Sequence, residues 1–128
     1  MLKLEPIGHV RNGVLSSRDF SDMVSEIEML PELVPGLYRL EESEEIDVIF
    51  LFDRNIGQGY QLKLHPKGDP DNPEVGVFAS RSPFRPNPIG LQRVQLLAID
   101  GGRVRVRGLD ALDGTPVLDI KPAKRRDR

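Results

Sequence analysis

Hydrophobic and polar residues alternate along several short stretches of this chain, which is typical of strands that bury one face. The clearest stretch is residues 103–107, where Val104 and Val106 alternate with three arginines. This pattern predicts that the valines face a core and that the arginines share the opposite face. Residues 48–52 are apolar without a break. They predict a strand that is buried on both faces or lines the interior of a barrel.

Turn-forming residues separate the remaining strands from one another. The segment Asp100-Gly101-Gly102 lies between two apolar stretches and predicts a hairpin turn. A loop rich in Pro, Asp, Asn and Gly covers residues 66–73. The other predicted strands are residues 2–10, 61–65, 75–79, 91–99 and 117–120.

One segment has the spacing of a helix. Apolar residues at positions 20, 23, 24, 27 and 30 predict a short helix that ends at Pro31. This helix is not interleaved with strands as in a βαβ unit, which argues against a parallel sheet. We therefore expect an all-β fold class, in which the antiparallel strands of a single sheet close into a small barrel with one short helix.

The composition limits the chemistry that the chain can perform. Its 128 residues predict a single domain, residues 1–128, which ends in a basic tail at 123–128. The absence of cysteine excludes disulfides, thiolate metal sites and thiol catalysis, and is compatible with a cytoplasmic protein. His9 and His65 have no metal-ligating neighbour at strand or helix spacing, so no metal site is predicted. No apolar segment has membrane-spanning length, and the first residues do not resemble a signal peptide.

The two halves of the chain carry opposite charge. Residues 1–75 hold 7 Lys/Arg and 15 Asp/Glu, a net charge of −8, whereas residues 76–128 hold 11 Lys/Arg and 5 Asp/Glu, a net charge of +6. A basic face of this kind is compatible with an anionic polymer such as a nucleic acid. The same asymmetry is equally compatible with halves that attract each other within or between subunits.

A loop rich in proline and arginine, residues 76–90, is the most informative segment of the chain. Proline fixes its own backbone and favours an extended conformation in the residue before it, so this loop is stiff. A stiff, cationic loop is suited to holding side chains in place for a ligand, although a rigid connector between strands is the alternative. Three prolines alternate here with polar residues, in the order Arg81, Pro83, Arg85, Pro86, Asn87 and Pro88.

Charged residues also cluster where the predicted strands begin and end. Asp53 and Arg54 follow the apolar strand directly, and Asp110 and Asp113 precede the last strand. Carboxylates and guanidinium groups at one rim of a small barrel predict a pocket for a polar, charged small molecule. The alternative interpretation is that charged side chains simply occupy strand ends.

Four blocks of the sequence together resemble the TsaA-like family of S-adenosylmethionine (SAM)-dependent β-barrel tRNA methyltransferases. They are Pro6-Ile7-Gly8, the apolar strand 48–52, the proline loop 76–90 and the segment 109–122. The resemblance implies a small β-barrel that binds SAM and forms a homodimer with SAM near the subunit interface. It further implies that the substrate is tRNA, methylated at N6 of threonylcarbamoyladenosine at position 37.

The resemblance also implies roles for individual residues. The expected cofactor contacts are Asp53, Arg54, Arg81, Leu91, Ala111, Leu112, Asp113 and Gly114. Asp119 and Lys121 are the candidates for catalysis and substrate contact. The expected contacts to the RNA substrate and its phosphates are Arg85, Asn87, Arg103, Arg105, Arg107, Lys124, Arg125 and Arg126.

The chain departs from the usual family pattern at three places. Residues 12–18 lack the family's Pro-Arg-Gln motif, Asp53-Arg54 replaces the usual His-Gln, and Ala123 stands where the family has tyrosine. Two alternatives therefore stay open beside a tRNA methyltransferase: a non-catalytic SAM-binding module, and a methyltransferase of a small molecule. An RNA-binding protein without a cofactor is a third.

Overall fold

Six antiparallel strands close into a barrel in the computed structural model, which describes residues 2–127. The strand order around the barrel is β1-β2-β7-β6-β3-β8, and β4 and β5 form a separate two-stranded sheet. This architecture confirms the predicted all-β fold class and antiparallel barrel. The strands are β1 (Gly8–Arg11), β2 (Val24–Met29), β3 (Ser43–Leu51), β4 (Lys63–Leu64), β5 (Val75–Gly76), β6 (Ile89–Asp100), β7 (Arg103–Arg107) and β8 (Pro116–Arg125).

Every second residue of the barrel strands points inward, and these side chains fill the barrel interior. Val104 and Val106 on β7 are fully buried, as their alternation predicted, and the arginines of β7 point outward. On β3 the buried positions are Ile46, Val48 and Phe50, whereas Ile49 and Leu51 are only partly covered. The apolar strand 48–52 therefore has one buried face and not two.

The predicted helix over residues 20–30 is wrong, because this segment contains β2. Its alternate residues Ser25, Ile27 and Met29 are buried, which is the period of a strand. Val24, which helical spacing would place on the buried face, is 41% exposed. Pairing with β1 on one side and β7 on the other supplies the backbone hydrogen bonds that make the extended form stable.

Within residues 2–127, helical structure is confined to short 3-10 turns in the connections. The longest is Pro31–Leu37, and it begins with proline at a position that suits the start of a helix. No helix among residues 2–127 is long and apolar enough to span a membrane. The other turns are Leu40–Glu42, Asp53–Asn55, Pro66–Gly68 and Val77–Ala79.

Several predicted strands have different bounds in the structure. Only Val75 and Gly76 of the predicted strand 75–79 are extended, and they pair with β4 outside the barrel. The proline loop is thus carried by barrel strand β6, which follows it, and not by a core strand before it. The first strand is shifted toward the C-terminus, to Gly8–Arg11, and the last strand is extended at both ends, to Pro116–Arg125.

The basic residues after position 120 belong to the sheet. Strand β8 pairs with β3 up to the Ser43–Arg125 pair, so the segment predicted to be a basic tail is largely part of the barrel. Arg126 is anchored as well, since its side chain donates to the carbonyl oxygen of Leu96 at 2.7 Å. Arg128 lies outside the described residues.

Opposite charges of the two halves of the chain meet across neighbouring strands. The outward arginines Arg103 and Arg105 on β7 lie 3.5 Å from Glu26 on β2. Strand β3 carries the acidic residues Glu44, Glu45 and Asp47 and lies between β6 and β8. Its ion pairs are Asp47 with Arg93 at 3.0 Å and Glu44 with Lys124 at 3.3 Å. The charge asymmetry therefore produces attraction within one chain, as the second interpretation proposed.

Candidate functional site

A cavity of about 970 Å³ opens at the end of the barrel where β3 stops and β6 begins. One side is formed by the end of β3 and the turn Asp53–Asn55 that follows it, and another by the proline loop. The start of β6 and the segment before β8 complete the walls. The stiff loop predicted from the sequence is thus part of this concave surface.

Aromatic rings form an apolar part of this cavity. Phe50 and Phe52 meet edge to face, with their ring centroids 5.2 Å apart, and Phe20 is nearby and buried. Gly90 pairs with Phe50 across β3 and β6. A Cβ atom at position 90 would lie only 2.5 Å from Cζ of Phe50 and 3.0 Å from Cζ of Phe52. Glycine at this position therefore allows both rings to lie against β6.

Four arginines line the cavity. Three of them are each held by a backbone carbonyl, whereas Arg93 pairs with Asp47. Arg54 donates to Leu15 and Arg81 to Leu91, both with N–O distances of 2.9 Å. Arg85 donates to the carbonyl oxygen of Ser80 at 2.8 Å. Within residues 2–127 none of the three forms an ion pair with a carboxylate. Fixed guanidinium groups with unused donors are suited to binding a carboxylate or a phosphate.

An acidic residue, Asp110, lies on another wall of the cavity. Partial burial and the neighbouring charge of Asp19 raise the pKa of the Asp110 carboxyl group. Its backbone is fixed by the side chain of Gln92, whose Oε1 accepts from the Asp110 amide at 2.6 Å while its Nε2 donates to Gly108 at 2.8 Å. Gln92 thus connects β6 to the segment before β8 and sets the distance between two cavity walls.

Most of the residues predicted to contact a cofactor are brought together here. The lining includes six of the eight, namely Asp53, Arg54, Arg81, Leu91, Ala111 and Leu112. Asp113, Gly114 and the predicted RNA contact Asn87 are not part of the lining, whereas Arg85 is. The predicted clustering at one rim is therefore observed in the geometry, although the roles of these residues remain predictions.

Asp113 uses its carboxylate to hold a turn in place. Oδ1 of Asp113 accepts from the backbone amides of Asn12 and Gly13 at 2.8 and 3.0 Å. These two hydrogen bonds favour the ionised form and lower the pKa of Asp113. Gly114, with a φ of +84°, donates to the carbonyl oxygen of Val10 at 2.7 Å. Both residues fix the segment that carries Ala111 and Leu112 into the cavity.

Replacing Asp113 with asparagine is expected to make the protein less stable only where the wild-type carboxylate is charged. A carboxyl group whose pKa is lower in the folded state than its ordinary value stabilises the fold at pH values above the ordinary pKa. This contribution is lost as the pH falls through the folded-state pKa. Asparagine keeps an acceptor oxygen but carries no charge. Urea unfolding of both proteins should show a difference at pH 6 that is smaller at pH 3, which lies below the ordinary aspartate pKa of about 3.9. A difference that is the same at both pH values would contradict this role.

The two predicted catalytic residues lie elsewhere. Asp119 and Lys121 form an ion pair at 3.2 Å, and neither lines the large cavity. Asp119 instead lines a second cavity of about 440 Å³, beside Tyr38 and Leu40. One chain therefore does not bring the predicted catalytic pair and the predicted cofactor contacts into the same cavity.

The cations predicted to contact phosphates are largely engaged with the protein itself. Arg103 and Arg105 pair with Glu26, and Arg107 donates to Oε1 of Gln95 at 3.1 Å. Lys124 pairs with Glu44, and Arg125 lies 3.6 Å from Glu42. Arg126 donates to the carbonyl oxygens of Glu41 and Leu96. These contacts join β7 to β2 and β6, and β8 to β3.

Removing residues 124–128 is therefore expected to destabilise the fold, by about 1–3 kcal/mol because the end of the β3–β8 ladder is lost. The double substitution of Lys124 and Arg125 by glutamine keeps the backbone and removes only exposed ion pairs, so it should cost less than about 1 kcal/mol. Chemical denaturation of the two variants tests this. A truncated protein as stable as the wild type would show that the ladder end contributes nothing.

Several residues of the cavity could not be recognised in the sequence. Gln92 and Arg93 occupy ordinary positions of a strand, and Phe20 had been assigned to a helix face. Phe78 lay in a segment expected to be a buried strand, but its ring is 78% exposed at the cavity. Among residues 2–127, no group of three or more His, Asp or Glu side chains is arranged to hold a metal ion.

The chain is similar to several known proteins. Residues 6–126 match the family model described as the tRNA-methyltransferase O N-terminal domain. An "S-adenosyl-L-methionine-binding protein" of Archaeoglobus fulgidus is 43% identical over 124 residues, which cover 92% of this chain and 86% of that protein. A mouse "tRNA (adenine(37)-N6)-methyltransferase" is 44% identical over 87 residues, which cover 68% of this chain and 20% of the mouse protein.

Solved structures have the same fold. A crystal structure of TrmO superimposes with a TM-score of 0.76 at 34% identity, and the TrmO of Pseudomonas aeruginosa with a TM-score of 0.74 at 32% identity. Both alignments cover 96% of this chain. The chain spans only 57% and 56% of those two proteins, respectively.

Proposed function

Because this chain belongs to the tRNA-methyltransferase O N-terminal domain family, we propose that it transfers a methyl group from SAM to N6 of adenosine 37 in tRNA. The observation that carries this proposal is the large cavity at the barrel end, which gathers six of the eight residues predicted to contact the cofactor. The proposal places the protein in the cytoplasm, where such a tRNA substrate is available.

The residues of the cavity fit the chemistry of SAM. Its volume of about 970 Å³ lies within the range of small-molecule sites and leaves room for part of a second reactant. Phe52, which is partly exposed and packs on the buried Phe50, offers aromatic surface to an adenine ring, and Arg81 offers guanidinium donors to the carboxylate of the cofactor's amino-acid end. Asp53 and Asp110 supply carboxylates for ribose hydroxyls or an ammonium group.

Bound SAM would supply a methyl group on a positively charged sulfur, and its transfer consumes that charge. The protein therefore does not have to stabilise a large new charge; its task is to align the two reactants and exclude water. Alignment alone contributes roughly 7–11 kcal/mol in favourable cases. The stiff loop around Pro83 and the fixed Gln92 bridge are suited to that task, because both hold cavity walls without conformational freedom.

We further propose that the adenosine carries a threonylcarbamoyl group. The carbonyl attached to N6 makes its proton more acidic, so a weak base or the substrate's own carboxylate suffices to remove it. Arg85, which lines the cavity and forms no ion pair within residues 2–127, is positioned to bind the threonyl carboxylate. No such partner is needed for an unmodified adenosine.

The proposed reaction is tested by incubating the protein with SAM and tRNA, digesting the RNA and measuring nucleosides by mass spectrometry. We expect methylated threonylcarbamoyladenosine from tRNA that carries the modification and none from tRNA that lacks it. Methylation of both RNAs would support adenosine 37 but contradict the modified substrate. Methylation of neither would contradict the tRNA methyltransferase.

We also propose a homodimer whose sites combine residues of both copies. Asp119 and Lys121 lie outside the cavity of their own chain, so a role in catalysis requires that a second copy bring them to it. Mixing an Arg81→Ala variant with an Asp119→Asn variant should restore about a quarter of the wild-type activity, because each mixed dimer then has one intact site. No recovery in dimers shown to exchange subunits would contradict this arrangement.

A non-catalytic SAM-binding module is the second candidate. It is favoured by the Archaeoglobus relative, which covers most of this chain and is named for binding alone. Saturable binding of SAM in calorimetry, without methyl transfer to either tRNA, would support it.

A further inference from the structure

Phe78 is an exposed aromatic residue that the fold does not require for its core. Its ring is 78% exposed, whereas the adjacent Val77 is buried and anchors the turn Val77–Ala79. The amide of Val77 donates to the carbonyl oxygen of Leu62 at 2.8 Å, which fixes the backbone next to Phe78. A rigid backbone thus presents an apolar ring at the large cavity, where it has no packing role.

One face of the Phe78 ring is covered by a fixed cation. Cζ of Arg85 lies 5.9 Å from the ring centroid, within the range of a cation–π contact. The guanidinium group cannot move freely, because it donates to the carbonyl oxygens of Ser80 at 2.8 Å and Ser82 at 3.3 Å. This contact holds the ring in one orientation.

Cations near the ring are available for an anionic partner. Arg54, Arg81 and Arg85 line the same cavity, and within residues 2–127 they form no ion pair. Arg103 and Arg105, by contrast, are paired with glutamate on the barrel wall. An exposed aromatic ring next to unpaired arginines is the combination that binds unstacked bases of single-stranded RNA, since every base offers a flat face.

We propose that Phe78 is a stacking platform for a nucleobase next to the base that enters the cavity. This inference rests on the proposed function, because it takes the RNA substrate from there. A flanking base would stack on the Phe78 ring, and Arg54 would contact the adjacent phosphate. The platform would thereby hold the anticodon loop open and position the target base.

The test measures binding of a synthetic anticodon stem-loop RNA to the full chain. Phe78→Ala should weaken binding roughly 5- to 150-fold, the range for losing one base–aromatic stack. Phe78→Trp should bind within about twofold of the wild type, and Phe78→Leu should bind as weakly as the alanine variant. Because stacking neutralises no phosphate, the salt dependence of binding should not change.

The matched control is Tyr60→Ala. Tyr60 is also an exposed aromatic residue, at 56%, but it lines neither of the two cavities. Tyr60→Ala should leave RNA binding and SAM affinity unchanged, and both alanine variants should keep the wild-type melting temperature.

Three results would overturn the inference. The first is an RNA affinity of Phe78→Ala equal to that of the wild type. This result would not contradict methyl transfer to tRNA by the wild-type protein. The second is conversion of a dimer to a monomer by Phe78→Ala in light scattering, because the ring would then be a subunit contact. The third is a wild-type protein that binds SAM but no RNA, which would also contradict the proposed tRNA substrate.

Discussion

Replacing Arg81 with alanine is expected to weaken SAM binding roughly 10- to 100-fold, because a charged hydrogen bond to the ligand is worth about 1.5–3 kcal/mol. Arg81 lies in the cavity, and a hydrogen bond of 2.9 Å to the carbonyl oxygen of Leu91 fixes its guanidinium group. The remaining donors of that group have no carboxylate partner within residues 2–127. Isothermal titration calorimetry with SAM measures the loss directly.

Arg105→Ala is the control for this prediction. Arg105 is also an exposed arginine on the barrel, but it pairs with Glu26 and does not line the cavity. Its loss should change SAM affinity less than about twofold and stability by less than about 1 kcal/mol. Equal losses of SAM affinity in both variants would mean that general charge, and not the cavity arginine, attracts the cofactor.

Local patterns sufficed where one periodicity was unambiguous. Strand β7 was predicted with its correct bounds, because Val104 and Val106 alternate strictly with arginine and a glycine turn precedes them. Residues 24–29 show the opposite case. Val24 and Ile27 are three positions apart, which suits a helix, and it is pairing with β1 and with β7, some 80 residues later, that makes the segment a strand.

The site shows the same division between local and long-range information. The stiffness of the proline loop is local, so the sequence predicted that Arg81 and Arg85 would be held for a ligand. The orientation of Asp113 depends on amides about 100 residues earlier in the chain, and its role in a turn was therefore not visible. The position of Asp119 in a different cavity likewise depends on which strands neighbour β8.

The charge totals of the two halves predicted little about the structure, because the pairing of charges depends on long-range strand order. The total of acidic and basic residues in each half says nothing about which of them face one another. Strand order places β3 between β6 and β8 and β2 beside β7, so the two halves neutralise each other along three strand pairs. What remains unpaired at the cavity is a smaller and more specific set of arginines.

Replacing Gly90 with alanine is expected to lower the free energy of unfolding by about 1–3 kcal/mol, the cost of forcing extra volume into a packed site. The new Cβ would lie 2.5 Å from Cζ of Phe50, and the edge-to-face contact with Phe52 leaves neither ring an easy alternative position. Because both rings line the cavity, the rearrangement should also weaken SAM binding. Urea unfolding and calorimetry on the same variant measure the two effects.

Gly36→Ala provides the matched control for the Gly90 substitution. A Cβ at position 36 meets no atom within 4 Å, so this change should leave stability within about 0.5 kcal/mol of the wild type and SAM affinity unchanged. If Gly90→Ala is as stable as Gly36→Ala, the rings of Phe50 and Phe52 have room to move, and this wall of the cavity is not rigid. If Gly90→Ala is less stable but binds SAM as tightly as the wild type, the cofactor does not contact Phe50 or Phe52. Either result would contradict the proposed role of Phe50 and Phe52 in the site. The proposed role of Arg81 would still be tested separately by Arg81→Ala.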